Sequence, residues 1–157
     1  MKFFNFLAFL IASLAFVLSV EGRCITGKHV LENEEVSLSS CDTLPCKLRK
    51  KSTVSVEVKF TPENDIQMLR NSVHAIILGV PFPFIGVDGN SVCGKIFDAK
   101  TGAKVACPLA KGGEYVYKDE FKVLEVYPKI KVDVVWSLRD QTNQAVACFQ
   151  VPARITS

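Results

Sequence analysis

The chain has 157 residues, with 19 basic and 16 acidic side chains and 48% apolar residues. This length fits one ordinary domain and excludes a multidomain assembly and most large enzymes. The formal net charge of +3 is too weak to indicate a nucleic-acid-binding protein.

The first 22 residues predict a secretory signal peptide. A cationic start at Met1-Lys2 precedes an apolar run over residues 6–18, and residues 20–22 are of the kind found before a cleavage site. We expect cleavage after Gly22, which leaves a mature domain of residues 23–157. A membrane anchor is the alternative, but the run is short for a span and no basic stop-transfer cluster follows it. The sequence therefore favours secretion.

All six cysteines lie in the predicted mature region and form an even set, which predicts three disulfides in an oxidising compartment: Cys24, Cys41, Cys46, Cys93, Cys107 and Cys148. Six cysteines allow 15 pairings, and their spacing leaves the choice open. A small loop between Cys41 and Cys46 is plausible, because a turn-rich segment separates them. A bond between Cys24 and Cys148 would tie the domain ends and stabilise it by about 4–5 kcal/mol. A metal site is disfavoured, since no C-x-x-C pair occurs.

Alternation of apolar and polar residues predicts strands over residues 54–60 and 130–138, each with one face buried. A continuous apolar run at residues 73–80 predicts a more buried strand. Further candidates are residues 114–118, 121–126 and 145–151, with weaker ones at 25–31 and 36–40. Residues 63–70 are a candidate for one helical turn. Six to eight short strands separated by turn signals predict an all-β, antiparallel β-sandwich.

Catalytic chemistry finds little support in the residues. His29 and His74 are the only histidines, and neither belongs to a G-x-S-x-G nucleophile motif. No cysteine is expected to be free, and no acidic pair or phosphate-binding glycine loop is visible. We therefore expect no enzyme activity and no cofactor. A basic run follows Cys46, and its default interpretation is a solvated surface, with contact to a receptor or an anionic membrane as the alternative: Lys47, Arg49, Lys50 and Lys51.

The segment Gly79-Val80-Pro81-Phe82-Pro83-Phe84-Ile85 is unusual. Each proline removes a backbone donor, so the segment cannot be an internal strand. Phe82 and Phe84 lie two residues apart on a stiff, extended backbone and should point the same way. They could plug one end of the core or form the wall of an apolar pocket between splayed sheets. In that pocket, a lipid would gain about 25 cal/mol per Å² of buried apolar surface.

An ordered set of motifs resembles the lipid-recognition (ML) family, and within it the Niemann-Pick type C-two secreted sterol carriers, with group-two mite allergens as relatives. The set spans essentially the whole mature domain: Cys41-Asp42-Thr43-Leu44-Pro45-Cys46, Gly79 to Phe84, Cys107-Pro108-Leu109, Tyr115-Val116-Tyr117, Tyr127-Pro128, Val135-Trp136-Ser137-Leu138 and Cys148-Phe149-Gln150-Val151-Pro152. The resemblance implies an immunoglobulin-like sandwich of two sheets with an internal apolar cavity. It also implies the pairings Cys24–Cys148, Cys41–Cys46 and Cys93–Cys107.

The resemblance further implies a ligand-binding set of six residues. Phe84 would contact the ligand at the pocket mouth, beside Phe82, while Val123 and Tyr127 would line the same entrance. Trp136 and Phe149 would form inner packing or the pocket wall.

The function that the resemblance implies is that of a secreted, monomeric sterol carrier that passes its ligand to membranes or to a receptor. Carriage of fatty acids or semiochemicals, or recognition of microbial lipid, are the alternatives. Two departures from the family stand out. The Cys93–Cys107 segment has 13 intervening residues, longer than is common, and no N-x-[ST] glycosylation site occurs. The second departure favours simple secretion over glycan-tagged delivery to lysosomes.

Overall fold

A computed structural model describes residues 24–157, so the predicted signal peptide lies outside the described residues. Eleven strands and one short helix occur in this range: β1 (Ile25–Thr26), α1 (Lys28–Glu32), β2 (Val36–Leu38), β3 (Cys46–Arg49), β4 (Thr53–Phe60), β5 (Arg70–Ile77), β6 (Val80–Pro83), β7 (Ile96–Asp98), β8 (Lys104–Val105), β9 (Tyr115–Lys122), β10 (Lys131–Arg139) and β11 (Ala145–Thr156). Among these residues, no helix has the length and apolar character needed to span a bilayer.

The strands form two sheets that pack face to face. Sheet A has the order β1-β11-β10-β5-β6, with β3 also paired to β11, and sheet B has the order β2-β4-β9-β7-β8. Most pairs are antiparallel, whereas β1 and β3 run parallel to β11. The predicted all-β sandwich of two sheets is confirmed.

Strict alternation in the long strands produces the core. In β4, Val54, Val56 and Val58 are buried, and in β10 the buried positions include Val134 and Trp136. Burying one such side chain contributes about 1.5–3 kcal/mol relative to leaving it in water. The predicted strands at 54–60 and 130–138 match β4 and β10 to within one residue.

The apolar run at residues 73–80 is not one buried strand, and that prediction was wrong. The chain reverses at Leu78 and Gly79, whose φ values are 50° and 79°. Two consecutive left-handed residues make the two-residue turn that matches the twist of a β-hairpin. Strand β5 ends before this turn and β6 begins after it, paired only with β5. The proline-rich segment is thus an edge strand, as its missing backbone donors require.

Other boundaries also differ from the sequence predictions. Strand β9 is continuous where two strands were predicted at 114–118 and 121–126, and helix α1 overlaps the weak strand candidate at 25–31. Residues 63–70 form no helical turn: the segment is irregular up to the start of β5, and Ile66 makes a β-bridge to Leu109. The short strands β3, β7 and β8 were not predicted.

Three disulfides hold the sandwich, with the pairings that the resemblance implies: Cys24–Cys148, Cys41–Cys46 and Cys93–Cys107. Cys41–Cys46 closes the short crossover from β2 in sheet B to β3 in sheet A. Cys93–Cys107 encloses the hairpin β7–β8, so the long segment between these cysteines extends the edge of sheet B.

A buried polar chain joins the two sheets near their centre. Trp136 Nε1 donates to Asn71 Oδ1 at 3.0 Å, and Asn71 Nδ2 donates to the Tyr117 hydroxyl at 2.8 Å. The Tyr117 hydroxyl donates to Asp119 Oδ2 at 2.7 Å, and Asp119 forms an ion pair with Lys95. Because Asn71 and Trp136 belong to sheet A and Tyr117 to sheet B, this chain fixes the spacing and the register of the sheets.

We predict that removing different disulfides has unequal effects on stability. The Cys24–Cys148 bond spans 124 residues and the Cys41–Cys46 bond only 5. In the chain-entropy model the long bond contributes about 5 kcal/mol and the short one about 2 kcal/mol. Urea unfolding of the Cys24→Ala/Cys148→Ala and Cys41→Ala/Cys46→Ala variants measures the difference. Equal losses in the two variants would contradict this prediction.

We also predict that Tyr117→Phe lowers the free energy of unfolding near neutral pH and makes it less sensitive to a rise in pH above 10. Loss of the hydroxyl leaves the Asn71 amide without its buried acceptor, at a cost of about 1–3 kcal/mol. Burial raises the pKa of Tyr117 far above its ordinary value of 10.0, with the Asp119 carboxylate acting in the same direction. The unfolded chain therefore loses a proton above pH 10 that the folded chain keeps, and stability falls as pH rises.

Urea unfolding of both proteins at pH 8 and pH 11 tests this prediction. The variant should be less stable than the parent at pH 8, and the gap should narrow at pH 11. An unchanged gap would show that Tyr117 does not contribute to the alkaline loss of stability.

Candidate functional site

A line of five aromatic rings crosses the interior from one end of the sandwich. Ring centroids are 5.5 Å apart for Tyr127 and Phe84, 5.9 Å for Phe84 and Phe121, and 5.5 Å for Phe121 and Trp136. Trp136 and Phe149 stack at 6.0 Å with an interplanar angle of 14°. Each contact lies in the range in which aromatic pairs attract one another. The line connects a surface loop to the centre of the core.

An apolar void lies between the sheets beside the inner half of this line. Trp136, Phe149 and Phe121 border it, together with residues from β2, β3, β4, β10, β11 and the Cys41–Cys46 loop. Its volume is about 20 Å³, roughly the space of one water molecule. Pockets that hold a small molecule measure about 300–1,000 Å³. The void marks where the two inner faces fit least tightly.

Phe82 and Phe84 share one face of the sheet but differ in exposure. Phe82 pairs with the buried Ala75, and the Phe84 amide donates to the Val73 carbonyl at 2.9 Å, so both follow inward-facing positions of β5. Phe84 is 4% exposed, whereas Phe82 is 49% exposed. Phe84 therefore closes the end of the core, and Phe82 lies outside that closure.

Tyr127 and Val123 occupy different layers of the same end. Tyr127 is half-buried, and its hydroxyl accepts a hydrogen bond of 3.0 Å from the Ile85 amide. Burial raises the pKa of Tyr127, and the Ile85 amide opposes that rise. Val123 is fully buried, with its backbone bonded to Ser52 and Lys51. Two of the six predicted ligand residues, Trp136 and Phe149, border the void. Phe84 and Tyr127 belong to the line of rings between the void and the surface. Phe82 is exposed, and Val123 is buried under the adjoining loop.

Phe121 is the aromatic residue of this line that the sequence reading missed. It faces inward from β9, two positions after Asp119 and four after Tyr117. Asp119 breaks the apolar alternation of the strand, because it is held inward by the Tyr117 hydroxyl and by Lys95. If Asp119 is taken as a surface residue, the alternation along β9 does not predict that Phe121 faces inward.

Exposed apolar side chains surround this end of the sandwich. Leu78, at the tip of the β5–β6 turn, is 100% exposed. Large apolar side chains on β6, on the loop after β6 and on the loop after β9 are also exposed. We call the following set the apolar rim: Leu78, Val80, Phe82, Ile85 and Val126. Several large apolar side chains exposed on neighbouring segments of a domain indicate an interaction site.

A larger groove of about 580 Å³ lies at the opposite end, bordered by the start of β9 and the start of β11. It is open to solvent and has charged side chains on its wall: Glu35, Lys59, Lys100 and Glu114. Such a wall does not offer the dry, apolar surroundings that retain a lipid. Within residues 24–157, no cluster of three or more His, Cys, Asp or Glu side chains is arranged for a metal ion.

Comparison with known proteins agrees with this architecture. The family model described as ML domain matches residues 22–155. The chain is 37% identical over 122 residues to the NPC intracellular cholesterol transporter 2 of Bos taurus, covering 78% of this chain and 76% of that protein. It is 32% identical over 132 residues to the NPC intracellular cholesterol transporter 2 homolog a of Drosophila melanogaster, covering 83% and 81%.

A solved structure supports the same assignment. The crystal structure of a Niemann-Pick type C2 protein from the Japanese carpenter ant aligns with a TM-score of 0.65 and 29% identity, covering 77% of this chain and 89% of that one. With a family model matching almost all of the described residues and relatives above 30% identity over most of their length, the chain belongs to the ML domain family.

Proposed function

We propose that this chain is a secreted, non-enzymatic carrier that binds a sterol between its two sheets and delivers it to membranes. The observation that carries the proposal is the apolar void that the aromatic line connects to the apolar rim. Membership of the ML family and the similarity to proteins named cholesterol transporters support the choice of ligand. Secretion rests on the predicted signal peptide and on the three disulfides.

The proposal requires the sheets to move apart when the ligand enters. A void of about 20 Å³ cannot hold a sterol, which needs a pocket of several hundred Å³. The contacts that must give way are the ring contacts of Phe84 with Phe121 and with Tyr127, and the hydrogen bond from the Ile85 amide to the Tyr127 hydroxyl. None of them is a hydrogen bond between strands. Each 100 Å² of ligand surface then buried contributes about 2.5 kcal/mol, which offsets the lost contacts.

The edge strand β6 is attached to sheet A along one side only. It pairs with β5 alone, and both of its prolines lack a backbone donor. Phe84 follows directly after this strand and closes the core at that edge. We therefore propose that the ligand enters between β6 and the loop that carries Tyr127.

We predict that filling the void blocks sterol binding. Ala153 is buried on the inner face of β11 and borders the void, whereas Ala147 faces the same way on the same strand but borders the charged groove instead. Ala153→Leu should weaken binding of a fluorescent sterol to delipidated protein by about tenfold or more, since the added methyl groups occupy the ligand's space. Ala147→Leu is the matched control and should leave affinity unchanged.

Parallel titration with a fluorescent fatty acid decides the class of ligand. Saturable uptake of the sterol, lost in Ala153→Leu and kept in Ala147→Leu, supports the proposal. If only the fatty acid binds, the proposed pocket is retained and its ligand is a fatty acid, not a sterol. If neither probe binds to the parent protein in a saturable way, the carrier function is wrong.

The apolar rim supports delivery by direct membrane contact. Leu78 combines full exposure with a φ of 50°, a conformation that costs a branched residue free energy. Asn-Gly would suit this turn far better than Leu78-Gly79. An apolar side chain at such a position is disfavoured in water and is favoured once it lies in a bilayer interface.

Basic side chains lie at the same end of sheet A. Lys131 on β10 is directly opposite Arg154 on β11, and Arg154 is directly opposite Lys47 on β3, so the three form one row across the outer face. Because β5 is antiparallel to β10, the Leu78 turn lies beside the start of β10, next to this row. Cations near an inserted apolar tip favour a membrane with anionic lipids.

We predict that Leu78→Asn slows sterol transfer to vesicles without changing sterol affinity in solution. Asn tolerates the left-handed conformation and keeps the turn, while the apolar tip is lost. The measurement is the rate of fluorescent sterol transfer from loaded protein to vesicles of phosphatidylcholine with and without phosphatidylglycerol. An unchanged rate for the variant in both vesicle types would show that delivery does not use the apolar rim.

A further inference from the structure

We propose that the outer face of sheet A carries a binding site for a phosphate or sulfate group of a soluble molecule, built around Arg70 and Arg139. This site lies at the end of β5 away from the Leu78 turn. It uses none of the residues of the proposed lipid pocket, and it does not depend on the carrier function.

The first observation is an unusual pairing of charges. Arg70 on β5 is directly opposite Arg139 on β10. Two like charges at directly opposed positions of a ladder destabilise it. None of the ion pairs formed within residues 24–157 includes either arginine. The two guanidinium groups thus share one face of the sheet without a carboxylate of the described residues within ion-pairing distance.

The second observation is a concave surface at this pair. The arginines border a depression of about 410 Å³, whose wall includes three side chains that can donate hydrogen bonds: Ser72, His74 and Asn143. Arg139 Nη1 donates to the Asn143 carbonyl at 2.8 Å, which orients that guanidinium toward the loop after β10. Arg70 forms no side-chain hydrogen bond within the described residues, so its five donors remain available.

The nearby carboxylates are already engaged elsewhere. Asp88 lies on the wall of the depression, but its Oδ1 accepts the Val73 amide at 2.7 Å and is 3.9 Å from His74 Nδ1. Asp140 follows Arg139 in sequence, and its Oδ1 accepts from the Thr142 amide and hydroxyl and from the Gln144 amide. The wall of the depression carries two arginines and one carboxylate, Asp88, so its formal charge is +1.

These features fit a tetrahedral oxyanion. A guanidinium presents two parallel N–H groups that match two oxygens of a phosphate or sulfate, and two such groups on opposed strands can bind one anion from both sides. Bringing an anion between the arginines also removes their mutual repulsion. Arg70 lies about 23 Å along β5 from the Leu78 turn, which favours a soluble molecule as the source of the anion over a bilayer that Leu78 would contact.

The test is a titration of the full mature protein with inorganic phosphate at fixed pH and ionic strength, followed by NMR of the backbone amides. The proposal predicts saturable shifts at Ser72, Gly89 and Asn143. Arg70→Gln should weaken binding about tenfold, because it removes a charged donor. Arg139→Lys should also weaken it, since the charge stays but the two-pronged geometry is lost.

The control is Arg154→Gln, which makes the same change in net charge on the same outer face. Arg154 pairs with Lys131, eight residues along β10 from Arg139. Shifts that do not saturate, or that weaken equally in Arg154→Gln, would overturn the site. Arg70 is exposed and forms no side-chain bond within residues 24–157, so an unfolded Arg70→Gln variant, detected by its amide spectrum, would also contradict the proposal.

A second measurement distinguishes the source of the phosphate. Sedimentation with vesicles of phosphatidylcholine containing phosphatidic acid should be unaffected by Arg70→Gln. Loss of vesicle binding in that variant would overturn the assignment to a soluble molecule.

Discussion

The hydrogen-bonded chain from Trp136 through Asn71 to Tyr117 governs how the two sheets can behave. A buried amide that loses its partners costs more free energy than one apolar contact gains, so the sheets cannot separate where this chain crosses between them. On one side of it the sandwich ends in a groove with charged walls. On the other side the inner faces meet through apolar and aromatic contacts, with the hydrogen bond from the Ile85 amide to the Tyr127 hydroxyl at the outer edge. The apolar contacts can be exchanged for contacts with a ligand, and water can replace the hydrogen bond between the exposed Ile85 and Tyr127.

The sequence allowed the fold class and the longest strands to be predicted because their alternation is regular. In β4 and β10 every second side chain is apolar, and both strands were found to within one residue. The strand predictions were wrong where individual residues interrupt the two-residue alternation. Asp119 faces inward because Tyr117 and Lys95 hold it there, so β9 was split. Leu78 sits in a turn that normally takes Asn or Gly, so a hairpin looked like one apolar strand.

The candidate site shows the same division. The proline pattern alone identified Phe82 and Phe84 and their shared direction, because each proline constrains the backbone locally. Trp136, Phe149, Val123 and Tyr127 came only with the family resemblance, and their use by a ligand stays a prediction. Phe121 could not be found, since its inward direction depends on a strand phase set by hydrogen bonds that no local pattern reveals. The size of the void depends on the spacing of two sheets, which is a property of the whole packing.

The crossover closed by Cys41–Cys46 has a consequence for the shape of any molecule held inside. It joins β2 of one sheet to β3 of the other with a covalent bridge beside the void, along the long side opposite β6. The two sheets therefore stay joined along that side and can separate only along the opposite edge, beside β6. A ligand bound between the sheets would occupy a wedge-shaped space that is narrow beside the Cys41–Cys46 bridge and wide beside β6. Flat, rigid molecules fill a wedge well, whereas a bulky branched group could be accommodated only at the outer margin.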